Sequence, residues 1–323
     1  MEHCLSQLTA GLSPESLLQQ LINGLALGSI YALLALGYSM VYGVLELINF
    51  AHGDVFMVGT FVIFGVINLA HAGPGTSLVI LLPVLLLATL VAMAACSILG
   101  FTIEKVAYRP LRNAPRLAPL ISAIGVSFIL SAWVTTYVSD RDHELPTLIS
   151  GQYQIYGDVS VTNVQILMVL STLLMMFGLQ FLVRRTRLGR GMRAVAQDRE
   201  AAALMGVNLD GVISFTFIIG SALAGAAGLL WVLNYSISNS IGFLAGLKAF
   251  TAAVIGGIGN IVGAVLGGFL LGLAETFGAA YIGNISCGFF SNAYQNAFAF
   301  IILILILVFR PSGILRERVS ERA

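Results

Sequence analysis

Three short polar constellations interrupt an otherwise apolar chain, and they hold the residues whose types and spacing could do chemistry. The first is Arg184-Arg185-Thr186-Arg187, Arg190 and Arg193, followed by Glu200-Ala201-Ala202-Ala203-Leu204-Met205-Gly206. Asp198 has the character of a helix N-cap, Ala201 to Ala203 favour helix, and Gly206 suits the C′ position that stops one. A short stiff helix at a membrane surface is a handle for another protein. The second is Asn49-Phe50-Ala51-His52-Gly53-Asp54. Polar groups within a membrane are costly and face protein or a water-filled cavity. Asn49 could cap a half-helix and Gly53 permits close backbone approach, as in a translocation-pathway or gating element. The alternative is that Asn49, His52 and Asp54 only satisfy amides freed by a break. The third is Gly256-Gly257-Ile258-Gly259-Asn260, which reads as a deliberate break in a helix.

Other chemistries find less support. No second His or Cys cluster lies near His52 in sequence, which argues against a metal site. No G-x-x-x-x-G-K-[ST] run occurs, so the glycines do not form a phosphate loop. His52 and Asp54 are the only serious proton-carrier candidates; Glu46, Glu104 and Glu275 read as interfacial, at or near span ends. Cys4, Cys96 and Cys287 lack metal spacing, and Cys96 reads as a small buried apolar residue.

The elements that must position these groups follow from composition. The chain has 323 residues, 58% of them hydrophobic and 10% charged, with a mean hydropathy of +0.94. This excludes an ordinary soluble domain and predicts an all-α polytopic membrane bundle, a single transmembrane domain over 1–323. A hydrocarbon core of ~30 Å needs roughly 20 apolar residues as helix, and backbone amides in lipid must be bonded within the segment. The weakly alternating segments of a β-barrel are absent. Helical spans are expected at about 17–43, 77–104, 117–138, 164–184, 211–233 and 293–309. Two further segments, 47–70 and 248–275, are interrupted and read as broken or re-entrant, for about eight membrane segments in all. The first 16 residues carry no Lys or Arg, so the first span is expected to be retained and not a signal peptide.

Net charge is +1, but its placement is informative. Fourteen of the 16 basic residues fall in three regions: Lys105 to Arg116, Arg184 to Arg199, and Arg310 to Arg322. The positive-inside bias makes these cytoplasmic, including the C-terminus, and makes the acidic loop 139–163 external. Arg141 and Lys248 are left for the far side. Asp140-Arg141-Asp142-His143-Glu144 reads as a solvated loop, or as a docking point for an extracytoplasmic partner. Span 211–233 then leaves the cytoplasm and 293–309 returns, so 248–275 must start and end outside, as a hairpin turning near Gly256 to Asn260. The side of the N-terminus depends on whether 47–70 crosses. Gly24-xxx-Gly28, Gly220-xxx-Ala224-xxx-Gly228 and Gly259-xxx-Gly263-xxx-Gly267 read as close-packing helix faces. The two halves are loosely alike, as in transporters built from repeats with broken helices.

With these residues in view the chain resembles a known family over nearly its whole length: the LivH-type permease subunits of branched-chain amino acid ABC importers. The resemblance is carried by Asn23-Gly24, Gly28-Ser29-Ile30-Tyr31-Ala32-Leu33, Tyr42-Gly43 and Ile48-Asn49-Phe50-Ala51-His52-Gly53. It continues through Glu104-Lys105-Val106-Ala107-Tyr108-Arg109-Pro110, Leu120-Ile121-Ser122-Ala123-Ile124-Gly125 and Met205-Gly206-Val207-Asn208. The last matches are Lys248-Ala249-Phe250-Thr251-Ala252-Ala253-Val254, Gly256-Gly257-Ile258-Gly259-Asn260 and Pro311-Ser312-Gly313-Ile314-Leu315.

The resemblance implies a non-catalytic subunit in the bacterial inner membrane. Its expected partners are a second permease (a heterodimer), two cytoplasmic ATPases, a periplasmic binding protein and the lipid bilayer, with no nucleic acid. No cofactor is expected on this chain; ATP and Mg belong to the ATPases. Glu200, Ala201, Ala202 and Gly206 look like the E-A-A-x-x-x-G coupling motif, in a loop of about 185–210 that seats in an ATPase groove. The implied cargo is leucine, isoleucine, valine and other neutral amino acids. Related urea and amide importers share this permease type, and a proton-coupled carrier, or a channel or structural subunit, are the alternatives outside it.

Overall fold

A computed structural model of the chain describes residues 13–112, 114–115, 117–138, 140–285, 295–310 and 313–315. Cys4, Arg116, Cys287, Pro311, Ser312, Arg316, Arg318 and Arg322 lie outside them. The described residues form eleven α-helices: α1 Pro14–Leu45, α2 His52–Leu69, α3 Leu78–Ile103, α4 Leu117–Tyr137, α5 Asn163–Arg185, α6 Arg187–Gln197, α7 Arg199–Leu204, α8 Leu209–Val232, α9 Ile241–Gly256, α10 Ile261–Ile285 and α11 Gln295–Phe309. A π-helical turn, Glu104–Tyr108, and a 3-10 turn, Arg109–Leu111, follow α3. One antiparallel hairpin, β1 Gln152–Tyr156 and β2 Val159–Thr162, precedes α5. Among the described residues seven helices are long and apolar enough to cross a membrane, and α9 and α11 are shorter apolar helices.

Burial sorts the helices. α1 is almost wholly buried, while α3, α4 and α5 expose most of their apolar surface, as helices facing lipid do. Small residues let α1 sit at the centre. A Cβ on Gly28 would stand 2.8 Å from the Gly268 carbonyl oxygen of α10, so these two backbones touch directly, and α1 and α10 make the most extensive helix contact. Gly24 meets Leu273, Gly220 meets Gly37, and Gly263 and Gly267 meet Gly256 and Ala252. The small-residue faces read from the sequence are therefore packing faces.

The bundle has two distinct ends. At the basic end, Arg199 of α7 donates to the Leu45 carbonyl, Arg109 pairs with Asp210, and the turn at Gly259 lies against Gly43. At the hairpin end, the Ser160 amide donates to Gln19 Oε1 at 2.9 Å and Gln165 Nε2 to Asn23 Oδ1 at 2.9 Å. His143 and Ile237 exchange backbone hydrogen bonds there. The start of α1 thus lies at the hairpin end; α2 starts at His52, beside Gly37 about two turns before the end of α1, and runs toward the hairpin end until Phe64 meets His143. This settles the connectivity of 47–70 that charge counting left open. The interruption is a corner at 46–51, and α2 itself is continuous over 18 residues. The second interruption is a corner at the basic end, between α9 and α10. The hairpin expected over 248–275 is longer than that, spanning Ile241 to Ile285.

Candidate functional site

The Arg-rich region resolves into two helices. α6 lies against the bundle through Gly189, Met192 and Val195, a buried stripe at spacing three; the arginine count concealed it as a loop. α7 is six residues long and closed at both ends. Asp198 Oδ1 accepts from the amides of Glu200 at 2.9 Å and Ala201 at 3.0 Å. At the far end the Val207 amide donates to the Ala202 carbonyl and the Gly206 amide to Ala203, both at 3.0 Å. This is the paired closure that needs a left-handed residue at C′, and Gly206 has φ +81°. Ala202 is buried, whereas Leu204 and Met205 are 89% and 84% exposed. The result is a stiff stub with an apolar tip. Its base is tied by Arg199 to the C-terminus of α1, where a cation also complements the helix dipole.

A charge network braces the same end. Arg112 pairs with fully buried Glu104 and with Asp210 in the first turn of α8. Arg109 also pairs with Asp210, and Ser214 Oγ donates to the second Glu104 oxygen at 2.7 Å. Glu104 is therefore not an interfacial group: it is a buried anion whose lone pairs are taken by Arg112 and Ser214.

The segment Asn49 to Asp54 forms the α1–α2 corner. Asn49 is buried; its Oδ1 accepts from the Ala51 amide and from the Tyr108 hydroxyl, both at 3.2 Å. It holds the corner and is not the N-cap of α2, which is Ala51. Gly53 is wedged against α9: a Cβ there would stand 2.8 Å from Gly246 Cα. His52 and Asp54 are buried. The His52 ring lies 4.7 Å from that of Tyr38, and His52 Nε2 and Asp54 Oδ2 have no hydrogen-bond partner among the described residues.

Gly256 to Asn260 forms the other corner. Gly257 and Gly259 have φ +103° and +94°, conformations open to glycine at little cost. Asn260 starts α10, accepting from the Gly263 amide at 3.0 Å. The last carbonyls of α9 are satisfied from far along the chain: the Ile314 amide donates to Ile255 at 2.9 Å and Leu315 to Gly256 at 3.1 Å. The two corners do not join in one site. The first packs on Gly242 and Gly246, the second sits at the opposite end of α9.

The sequence reading missed one site. Lys248 is not on a far-side loop, and Glu275 is not interfacial. Both lie within helices, buried, and they pair with each other. Lys248 Nζ also donates to the Tyr31 hydroxyl at 3.2 Å. Glu275 Oε2 has no hydrogen-bond partner among the described residues. Unlike charges inside two apolar segments were the available signal, since intramembrane charges pair. A cavity of about 390 Å³ opens one helical turn nearer the hairpin end, walled by Asn23 and Leu27 of α1, Gln165 of α5, Tyr235, and Thr276 and Ala279 of α10. Burial raises the Tyr235 phenol pKa, against a hydrogen bond with Asn234 that lowers it. A smaller cavity of about 190 Å³ lies at the basic end, between Ser39, Gln180, Arg184, Arg193 and Asn260.

This arrangement is that of a helical membrane protein with a protruding surface helix and polar groups sealed inside the bundle. Residues 20–307 match the family described as branched-chain amino acid transport system / permease component, and the chain belongs to that family. It is 48% identical over 312 residues to the high-affinity branched-chain amino acid transport system permease protein BraD of Pseudomonas aeruginosa, covering 94% of this chain and 97% of that one. It is 45% identical over 311 residues to the corresponding permease protein LivH of Salmonella typhimurium, with the same coverage. A probable LivH of Methanocaldococcus jannaschii is 29% identical over 297 residues, covering 88% of each chain. Among solved structures, PsaBC from Streptococcus pneumoniae in complex with Fab aligns with a TM-score of 0.45 at 12% identity, over 95% of this chain and 97% of that one.

Proposed function

We propose that this chain is the membrane-spanning permease subunit of an ABC importer for branched-chain and other neutral amino acids, driven by ATP hydrolysis on separate subunits. The observation that carries the coupling is α7. It is a helix closed by Asp198 and Gly206, tied by Arg199 to the most buried helix, with Leu204 and Met205 exposed at its tip. Apolar side chains held out on a stiff stub suit the groove of an ATPase, and Glu200, Ala201, Ala202 and Gly206 are its coupling residues.

The basic end faces the cytoplasm by the positive-inside bias, which puts the N-terminus outside and Arg310 inside. Two ATPases bind there, a second permease completes the pathway, and a binding protein delivers cargo at the hairpin end. ATP and Mg are held by the ATPases and not by this chain. ATP-driven closure of the ATPase pair pulls α7, and the pull reaches α1 through Arg199 and α8 through Asn208, whose Oδ1 caps that helix by accepting from the Gly211 amide at 3.0 Å. The permease pair then exchanges outward- and inward-facing states. The corners at Asn49, His52, Gly53 and Asp54, and at Gly256, Gly257, Gly259 and Asn260, are the hinge and packing points of the pathway.

The test is replacement of Glu200 by Ala and of Gly206 by Val. Amino acid uptake is expected to be lost while membrane insertion and permease pairing persist. Uptake unchanged in both variants would remove α7 from the coupling.

A further inference from the structure

Lys248 and Glu275 place one full charge of each sign inside the bundle, on α9 and α10, with Tyr31 of α1 beside Lys248. Stability does not call for them. A buried pair loses in desolvation about what it gains in attraction, and apolar residues of similar volume serve as well or better. Nor does α9 need the pair to find α10, since Gly256, Gly263 and Gly267 already bring the two backbones into contact. The carboxylate is also incompletely used: Oε2 is buried without a hydrogen-bond partner among the described residues, an acceptor with room for one more donor. A cavity opens toward the hairpin end, walled by neighbours of the pair along α10 and α1. Thr276 follows Glu275 directly, Ala279 lies one turn beyond it, and Leu27 lies one turn from Tyr31. Its volume of about 390 Å³ falls in the range of small-molecule sites, ~300–1,000 Å³. Amide side chains, a hydroxyl and a phenol line it together with Leu27 and Ala279.

We propose that the Lys248–Glu275 pair and the cavity above it form a binding site for the zwitterionic head of an α-amino acid. The ammonium of the ligand meets Glu275 Oε2 and its carboxylate meets Lys248 Nζ beside the Tyr31 hydroxyl. Leu27 and Ala279 offer apolar surface to the aliphatic side chain. The charge balance favours this ligand over a simple ion. A pair and a zwitterion are each neutral, so entry exchanges one ion pair for two and leaves no net charge in the low-dielectric interior. A lone cation or anion would leave one of the two residues uncompensated. The site rests on the amino acid permease reading above and gives it a substrate contact within this chain.

The test uses the whole complex in proteoliposomes, with its ATPases, partner permease and binding protein and with L-leucine as probe. Ala279→Cys is introduced in a background with Cys4, Cys96 and Cys287 replaced by Ser, and its alkylation by a water-soluble maleimide is timed. Leucine is expected to slow alkylation. In the double variant Lys248→Met/Glu275→Leu, which keeps the volume and removes both charges, that protection disappears and uptake falls at least about tenfold, as loss of charged hydrogen bonds requires. ATP hydrolysis stimulated by the binding protein persists. If the double variant does not assemble, Glu275→Gln keeps size and packing and is expected to lose protection in the same way. Uptake by the double variant within about twofold of the parent, a difference too small for a lost charged hydrogen bond, would overturn the proposal. So would a parent complex that imports leucine with no change in alkylation, which leaves the permease reading standing. A parent complex that imports no leucine at all would fail the permease reading itself.

Discussion

Arg199 joins the surface helix to the core: its guanidinium, at the first residue of α7, donates to the carbonyl of Leu45, the last residue of α1. The surface helix α7 and the most buried helix are thereby one mechanical unit. Arg199→Gln removes the charged donor from the Leu45 carbonyl, at a cost of about 1 kcal/mol or somewhat more. The expected phenotype is uncoupling. ATP hydrolysis and subunit assembly are retained, and uptake drops several-fold, measured as amino acid transported per ATP hydrolysed.

Gly206 adopts φ +81° with open space where a Cβ would go. Gly206→Ala therefore carries only the left-handed backbone penalty, roughly 1–2 kcal/mol. Because the motif closes a helix of only six residues, that penalty falls on α7 alone. Uptake is expected to fall while the melting temperature of the purified complex stays unchanged. Gly206→Asn, which tolerates the left-handed region, is expected to restore much of the loss.

Gly53 and Gly65 lie on the same helix and make opposite demands. A Cβ on Gly53 would push into the backbone of Gly242 and Gly246, whereas one on Gly65 meets nothing within 4 Å. Gly53→Ala is expected to destabilise the protein by about 1–3 kcal/mol, the usual cost of overpacking, and Gly65→Ala to leave it unchanged or slightly more stable. Thermal denaturation of the two variants in the same detergent makes the comparison.

Glu104 is completely buried and holds Arg112 and Ser214. Glu104→Gln leaves Arg112 with Asp210 alone. The expected loss is about 2–3 kcal/mol, below the ~3–5 kcal/mol of an unshared buried pair. Heat or denaturant titration of the purified protein measures it.

What the sequence disclosed was local, and what it concealed was tertiary. The cap and stop of α7 depend on residues within nine positions of one another, so Asp198 and Gly206 could be read directly. The glycine faces of α1, α8 and α10 were likewise legible from their spacing. The N-terminal side was not, because nothing in a neutral first segment says that Gln19 and Asn23 bond to the hairpin and to α5. Lys248 and Glu275 were misplaced for a related reason. They stood at the two ends of the interrupted segment 248–275, although α9 begins at Ile241 and α10 continues to Ile285. Charges taken for the edges of a segment were its interior, and only packing of α9 on α10 unites residues 27 positions apart. The capping of α9 by Ile314 and Leu315 was invisible for the same cause.

The most direct test of the account is purification of this chain from its native membranes in mild detergent, followed by mass spectrometry of what accompanies it and reconstitution of the same sample into liposomes. Two ATPases and a second permease are expected in stable ratio, with leucine uptake that needs ATP and the binding protein. A chain recovered alone that takes up amino acids under a proton gradient without ATP would contradict it, and would move the mechanism to His52 and Asp54.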